Sequence, residues 1–494
     1  MAKLKSIVLK DSVKWHKWLG WTGGLALLLF AISGIMHPVM TWTGPKAASF
    51  FPPQAVMQAE YAAAIPRIVG QHAIDQAIMV KLVPSGNGAV MQVTEHNDQP
   101  RRYFDVETGA ELEAYDEQHA IWLARYYTGL QDADVKEVSF QSEFDHAYPW
   151  VNRLLPVYRV TFDTEDQRTA FIYTELNALG NLTNNWKTSI QGIFRTFHTW
   201  SWLDGFEHAR VFLMMVLLVS LFGMAATGTA MVFLMKSRKI PDQGRKWHRF
   251  ISYAIWIPLL AFSASGSYHL LQYAYGDNHR GLQLGQPVNL AADRFGNDTA
   301  WLDLYQDVKL NGISLIEGAD GSLLYRLSIP QGRHGQKIER ATRFDGVPIE
   351  KPALYFDALS GAEADVTDRD MAIYYAGKHL GLDEENIIDT SLVTHFGPHY
   401  DFRNKRLPVW RVDYNSQKGD KLFIDPATGI LVDRLVDMER YESYSFSFLH
   451  KWNFLTPLIG RMPRDILIVL VLLGAIGGTI FGYIMLLKQG KKRG

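Results

Sequence analysis

The stretch Trp15-His16-Lys17-Trp18-Leu19-Gly20, an apolar run and then Gly34-Ile35-Met36-His37 decides how this chain is read. It recurs 232 positions later as Trp247-His248, a second apolar run and Gly266-Ser267-Tyr268-His269. In each copy the two histidines are 21 residues apart. On a helix rising about 1.5 Å per residue that is roughly 31 Å, close to the roughly 30 Å hydrocarbon thickness of a bilayer. At about 100° per residue, 21 steps return to within about 60° of the start, so both histidines point to broadly the same side. Each copy thus predicts a helix with one histidine near each membrane face. Duplicated histidines at both faces suggest a path for electrons.

The remainder of the 494-residue sequence supports a membrane reading. The mean hydropathy of −0.08 resembles that of a soluble protein, but charge-free runs at 18–45, 211–235, 250–276 and 466–487 are each long enough to span a bilayer. Polar stretches of about 165 and 190 residues separate the first run from the second and the third from the fourth, enough for a domain each. The first run is too long for the apolar region of a signal peptide and its repeat recurs mid-chain, so it is expected to remain as a membrane helix. Lys3, Lys5, Lys10, Lys14 and Lys17 precede it. Lys236, Arg238, Lys239, Arg245, Lys246 and Arg249 link runs two and three, and Lys488, Lys491, Lys492 and Arg493 end the chain. Four spans put all these cations on one side, which the positive-inside rule makes cytoplasmic. Both polar stretches then face outward, into the periplasm of a Gram-negative host. The net charge of −1 gives no sign of nucleic-acid binding.

The sequence has no cysteine. Disulfides, iron–sulfur clusters, thiolate ligands and covalent c-type haem attachment are therefore excluded. Any haem must be held non-covalently by histidine or methionine.

The duplication extends beyond the helices. Tyr103-Phe104-Asp105-Val106-Glu107-Thr108-Gly109-Ala110-Glu111 matches Tyr355-Phe356-Asp357-Ala358-Leu359-Ser360-Gly361-Ala362-Glu363 at an offset of 252. Leu155-Pro156-Val157-Tyr158-Arg159-Val160 matches Leu407-Pro408-Val409-Trp410-Arg411-Val412 at the same offset. So do Tyr148 and Tyr400, Asn152 and Asn404, His198-Thr199-Trp200 and His450-Lys451-Trp452, Thr227 and Thr479, and Lys236 and Lys488. The growth of the offset places about 20 extra residues in the second half, before Tyr355. Each half reads as helix, outer domain, helix in the same orientation, which implies a pseudo-two-fold axis along the membrane normal. Alternation and turn residues predict strands at 89–94, 102–106, 157–162, 169–173 and 421–424, and spacing predicts a helix at 115–127.

The aromatic-x-Asp-x-x-Thr/Ser-Gly signature at 103–109, 355–361 and 423–429 resembles that of PepSY domains. With His-x-x-Leu-Gly at 16–20 and the Leu-Pro-Val-aromatic-Arg-Val segments, nearly the whole chain resembles the PepSY-associated transmembrane family. That resemblance implies a membrane α-helical protein of four transmembrane helices in parallel duplicated halves, with two α+β PepSY-like periplasmic domains. The expected boundaries are 1–40 for the cytoplasmic N-terminus and first span and 41–197 for the first periplasmic domain. An interfacial segment and the second span follow at 198–238, then the cytoplasmic link and third span at 239–276. The second periplasmic domain is expected at 277–449, and the last interfacial segment, fourth span and cytoplasmic C-terminus at 450–494. Characterised members include bacterial inner-membrane haem proteins that reduce ferric siderophores at the periplasmic face. The resemblance therefore implies b-type haem and ferric reduction. No G-x-G-x-x-G follows a strand, so a separate electron donor is expected, a quinol or a cytoplasmic flavoprotein.

A neutral imidazole ligates haem iron axially, and two make an electron-transfer centre. His16 and His248 are expected to hold a cytoplasmic-side haem between the halves. On the outer side the candidates are His37, His198, His269 and His450. His37 with His269 and His198 with His450 is one pairing; His37 with His198 and His269 with His450 is another. Two or three bis-histidine haems b per chain follow. The aromatic segments around His198 and His450 are expected to lie flat on the membrane, with Pro457 and Pro463 breaking the second from its spanning helix. His395 and His399 read as a solvated loop, with His146 nearby in the first repeat but out of register. His72, His96, His119, His208, His279, His334 and His379 have no repeat partner and no assigned role. The glycines of 474–482 read as helix packing, while Gly20, Gly23 and Gly24 offer room for a macrocycle.

The expected activity is an oxidoreductase that moves electrons across the inner membrane to a periplasmic ferric complex, a ferric siderophore first among them, as a monomer or homodimer. Rival readings are electron donation to another periplasmic redox protein and a haem-free PepSY module that binds or regulates peptidases. A transporter fits less well, because the spans carry almost no ionisable residues besides histidine.

Overall fold

The computed structural model describes residues 2–53, 57–85, 88–235, 242–276, 278–296, 302, 305, 310–329, 346–347, 352–397 and 399–490. Lys236, Arg238, Lys239, His334, Pro398, Lys491, Lys492 and Arg493 lie outside the described residues. The chain forms two units.

The first unit, Met1–Gly44, Trp186–Asn278 and Met438–Gly494, is helical. Its long helices are α1 (Ala2–Thr43), α5 (Glu207–Leu234), α6 (Gln243–Tyr275) and α10 (Arg461–Gly490). All four are long and apolar enough to cross a membrane. Each starts before its charge-free run, because the Lys, Glu, Gln and Arg residues of the flanks are good helix formers. Phe212, Phe250 and Leu470 point outward, each at least 60% exposed. So much bare apolar surface marks a membrane protein. Inside, Ala26, Leu27, Ala31, Leu221, Ile255 and Ala475 form the core. α1 and α5 approach closely at Gly23, where a Cβ would lie 2.7 Å from the Ser220 carbonyl oxygen. Gly23 thus serves backbone packing, as Gly478 does against Ile251 of α6.

Matching elbows lead into α5 and α10. α4 (Asn185–Phe194) runs into a π-helical turn at Arg195–Thr199, and α8 (Asp437–Ser445) into one at Phe446–His450. Trp200 (φ +55°) and Trp452 (φ +51°) then reverse the chain in the left-handed region, an uncommon place for a bulky residue. The second elbow adds the short helix α9 (Thr456–Ile459) and Gly460, at φ +81°. The break before α10 falls at Gly460. Pro463 lies inside the first turn of α10, where a missing N–H forfeits no helical hydrogen bond. α10 consequently starts 254 residues after α5, although the elbows are 252 apart. The packing equivalent of Thr227 is then Phe481 and not Thr479.

The second unit, Pro45–Asn185 and His279–Asp437, is mixed α and β. Its first half holds β1 (Gln76–Ala77), β2 (Met79–Ser85), β3 (Gly88–Thr94), β4 (Arg102–Asp105), β5 (Val135–Gln141), β6 (Val157–Phe162), β7 (Thr169–Tyr173) and β8 (Ala178–Thr183), with helices α2 (Ala64–Gln71) and α3 (Tyr115–Thr128). The second half holds β9 (Val288–Asn289), β10 (Gly312–Glu317), β11 (Leu323–Ser328), β12 (Leu354–Asp357), β13 (Ile387–Val393), β14 (Val409–Tyr414), β15 (Lys421–Asp425) and β16 (Ile430–Leu435), with α7 (Asp368–Leu380). Each half contributes an antiparallel four-stranded sheet, β5-β6-β7-β8 or β13-β14-β15-β16. Ala120, Leu123, Ala124 and Tyr127 of α3 pack on the former; Met371, Ala372, Tyr375 and Ala376 of α7 pack on the latter.

The two polar stretches do not close separately. They share a six-stranded sheet, ordered β12-β11-β10-β2-β3-β4. At its centre Ile313 faces Leu82, Ser314 faces Lys81 and Leu315 faces Val80. A three-stranded sheet leaves a row of unpaired backbone groups, and antiparallel pairing of β2 with β10 satisfies both edges at once. The register also locates the extra residues. The offset is 234 at Gln92 and Arg326, each opposite the strand-pair centre, and 252 at Tyr103 and Tyr355. The additional length lies between β11 and β12.

The PepSY-like signature has a physical basis. Asp105 Oδ1 accepts hydrogen bonds from the backbone N–H of Glu107 and Thr108 and from the Thr108 hydroxyl, at 3.1, 2.7 and 2.8 Å. Asp357 does the same for Ser360, and Asp425 for Ala427 and Thr428. Gly109, Gly361 and Gly429 follow at φ +76°, +71° and +68°, where a Cβ is strained. His72 Nε2 lies 2.9 Å from the Gly109 carbonyl oxygen and His379 Nε2 2.9 Å from that of Gly429. These two histidines therefore anchor turns.

Buried ion pairs join the halves of this unit. Glu175, fully buried, pairs with Lys81 and with Arg406, which also binds Asp425. Arg153 Nη1 reaches Asn404 Oδ1 at 2.6 Å and Asp433 Oδ2 at 2.7 Å.

Candidate functional site

All six repeated histidines belong to the helical unit. At one end of the bundle, His16 of α1 and His248 of α6 face each other with ring centres 6.2 Å apart and planes at 60°. Both are tethered through Nδ1. His16 Nδ1 lies 2.9 Å from the Met224 carbonyl oxygen on α5, and His248 Nδ1 lies 2.8 Å from that of Gly478 on α10. A carbonyl only accepts, so each Nδ1 carries the hydrogen and Nε2 is left with its lone pair. This outer-sphere bond is the usual means of orienting a metal-ligating imidazole. Met224 and Gly478 are 254 residues apart, matching the helix register. Gly228 and Gly482, also 254 apart, make room for the rings: a Cβ would come 3.1 Å from His16 Cε1 and 3.4 Å from His248 Cε1.

The other end of the bundle repeats the theme. His198 Nδ1 lies 3.0 Å from Ser33 Oγ of α1, and His450 Nδ1 lies 3.2 Å from Ser265 Oγ of α6. The next residue is glycine in both helices, and a Cβ on Gly34 or Gly266 would touch the same imidazole at 3.5 or 3.7 Å. Phe194 stacks on His198 at 4.7 Å and also contacts His37 at 6.1 Å. Phe446 stacks on His450 at 4.6 Å and on His269 at 4.0 Å. Burial lowers the His198 imidazole to about 4. Burial, with His198 and Lys451 adding to it, lowers His450 to about 3. Both are neutral at pH 7, the form that binds iron.

Each phenylalanine thus contacts the two outer histidines of its own half, and His198 also lies within Coulombic range of His269 and His450 across the halves; the inner pair meets across the halves. Among the described residues no group of three or more His, Cys, Asp or Glu is arranged to hold a metal ion. Exposed His395 and His146 join none of these sets. Ser33, Ser265, Phe194, Phe446, Gly228 and Glu442, which contacts His269, are neighbours that histidine spacing alone missed. Most carry a readable signal: Ser33-Gly34 recurs as Ser265-Gly266 at 232, and Phe-x-x-x-His recurs at 194–198 and 446–450.

The chain matches no protein-family model and no curated protein.

Proposed function

We propose that this is a haem b electron-transfer protein of the PepSY-associated transmembrane kind, which passes electrons through the inner membrane to a periplasmic ferric complex, a ferric siderophore above all. The observation that carries the reading is the His16–His248 pair. A metal–imidazole bond is about 2.0 Å and the ring centre about 1.1 Å further, so two imidazoles on opposite sides of one iron have centres about 6 Å apart. The observed 6.2 Å meets that requirement, and the carbonyl bonds at Nδ1 reserve Nε2 for the metal. A porphyrin iron needs only two protein ligands, so a pair suffices where a bare cation would want a larger cluster.

His16 and His248 would hold the cytoplasmic-side haem. His37, His198, His269 and His450 would supply the outer ligands, for two or three haems per chain. When bound, haem supplies a reversible one-electron ferric/ferrous couple. The protein's own part is to set depth, orientation and surroundings. The tethers from Met224, Gly478, Ser33 and Ser265 fix the imidazoles, so little reorganisation accompanies electron transfer. The imidazoles of the inner pair are half-buried. The 21-residue spacing on α1 and α6 sets the two levels about 31 Å apart along the helix, which spans the bilayer. In this proposal the cation-rich segments face the cytoplasm, where a quinol or flavoprotein delivers electrons. The β-rich unit faces the periplasm and presents the docking surface.

The test is an absorbance spectrum of the detergent-purified protein, oxidised and dithionite-reduced, with a pyridine haemochrome assay. Sharp low-spin b-type bands at two or three haems per chain, with reoxidation by a ferric siderophore, are expected. A colourless protein defeats the proposal and leaves the peptidase-regulating module as the reading to pursue.

A further inference from the structure

The pseudo-symmetry of the helical unit fails at one polar contact. His269 Nδ1 lies 2.5 Å from Glu442 Oε1. Glu442 is on α8, one helical turn before the π-turn that carries His450, and its side chain is only 16% exposed. The 252-residue offset between the elbows puts Ile190 at the same place on α4, and Ile190 is buried. Where the second half sets a carboxylate against His269, the first half has the apolar sec-butyl group of Ile190 at the equivalent position. Lys451, Arg461 and Arg464 lie within Coulombic range of His37, but both arginines pair with Asp465 and Lys451 also acts on His450, so the carboxylate of Glu442 is the distinguishing charge. The His269 ring is also restrained on its face, because Phe446 stacks on it at 4.0 Å with the planes 17° apart.

We propose that Glu442 is a positioning residue for His269, which holds the hydrogen on Nδ1, leaves the Nε2 lone pair for iron and would make His269 a more electron-rich ligand than His37. This rests on the reading of the outer histidines as haem ligands. A carboxylate on the far nitrogen of a ligating imidazole raises its basicity. A more basic ligand and a nearby negative charge both favour ferric over ferrous iron. An iron that takes His269 is therefore held at a lower potential than one that takes His37. The two halves, alike in fold, differ in the property that sets the direction of electron flow at the outer face.

The experiment is an optical redox titration of the full-length, haem-loaded protein, with electron paramagnetic resonance of the oxidised state. It compares wild type with Glu442→Gln, Glu442→Ile and Glu442→Asp. Glu442→Gln keeps the shape and removes the charge; Glu442→Ile installs the residue that the first half already tolerates. The expected result is that the midpoint potential of one haem moves to a more positive value in both, with altered g-values for that haem alone. Glu442→Asp returns the potential toward wild type. Unchanged potentials and g-values in Glu442→Gln and Glu442→Ile protein that retains its full haem complement overturn the proposal while leaving the haem reading intact. A wild-type protein without haem overturns both.

Discussion

His16 and His248, 232 residues apart in the chain, place their imidazoles 6.2 Å apart and tie each Nδ1 to a carbonyl of a third and a fourth helix. One pair of rings thereby draws on all four long helices, which makes its integrity a sensitive report on the whole bundle. On the proposed reading, His248→Ala lowers the haem content by one group per chain and leaves the outer haems in place. The pyridine haemochrome assay reads the stoichiometry. Undiminished haem in that variant would remove His248 from the ligand set.

The space around those rings is tested by Gly228. Its Cβ position is 3.1 Å from His16 Cε1. Gly228→Val is expected to push the imidazole off its place and, on the proposed reading, to weaken retention of the haem held by His16 and His248. Gly192→Ala, at a site open within 4 Å, is expected to change nothing. Haem content after extended detergent washing compares the two.

The outer tethers are tested by Ser33→Ala and Ser265→Ala. Each removes the group 3.0 or 3.2 Å from Nδ1 of His198 or His450. Loss of an outer-sphere partner typically costs about 10–100-fold in metal affinity or activity, so on the proposed reading the dissociation constant of a haem held by His198 or His450 is expected to rise by that order. Haem transfer to apomyoglobin measures it. Equal retention by both variants and wild type would make the serines packing residues only.

In the β-rich unit, Glu175 carries an acid-stability prediction. Burial raises its proton affinity, but Arg406 and Lys81 outweigh that and hold the carboxyl at about 2, below its ordinary 4.5. A depressed carboxylate contributes stability that is fully present above the unfolded value. That stability is lost as pH falls from about 4.5 through about 2. Glu175→Gln is expected to flatten this acid limb and, by leaving Arg406 and Lys81 short of a buried partner, to destabilise by about 3–5 kcal/mol at neutral pH. Guanidinium unfolding followed by far-UV circular dichroism between pH 2 and 7 checks both. A variant as stable as wild type at pH 7 would show that solvent, not Glu175, balances these cations.

Much of this architecture was legible in one dimension because duplication writes the same physics twice. Apolar length marked the four long helices, and the 115–127 periodicity marked α3 to within a residue of its end. Alternation marked β6 and β7 at their observed bounds. The Asp and Gly of the signature turns were readable because hydrogen-bonding a turn backbone and adopting positive φ each demand a particular side chain. The matched serine–glycine pairs were present in the same way, although their use was not apparent until a histidine from another segment settled on them. Glu442 had no such signal, since its counterpart is Ile190.

By itself, then, the amino-acid sequence determined where the four long helices and α3 lie, where the histidines stand along the long helices and that the chain is two copies of one plan. These follow from local periodicity, length and repetition, which need no knowledge of what lies opposite. Only the tertiary structure decided that β2 and β10 join the polar stretches into one sheet, that His16 meets His248 while Phe194 and Phe446 each contact the two outer histidines of their own half, and that a two-residue difference in the elbows resets the register of α10. Each of these depends on which surfaces meet in space, and residues more than 200 positions apart become neighbours only when edges, rings and helix faces satisfy one another together.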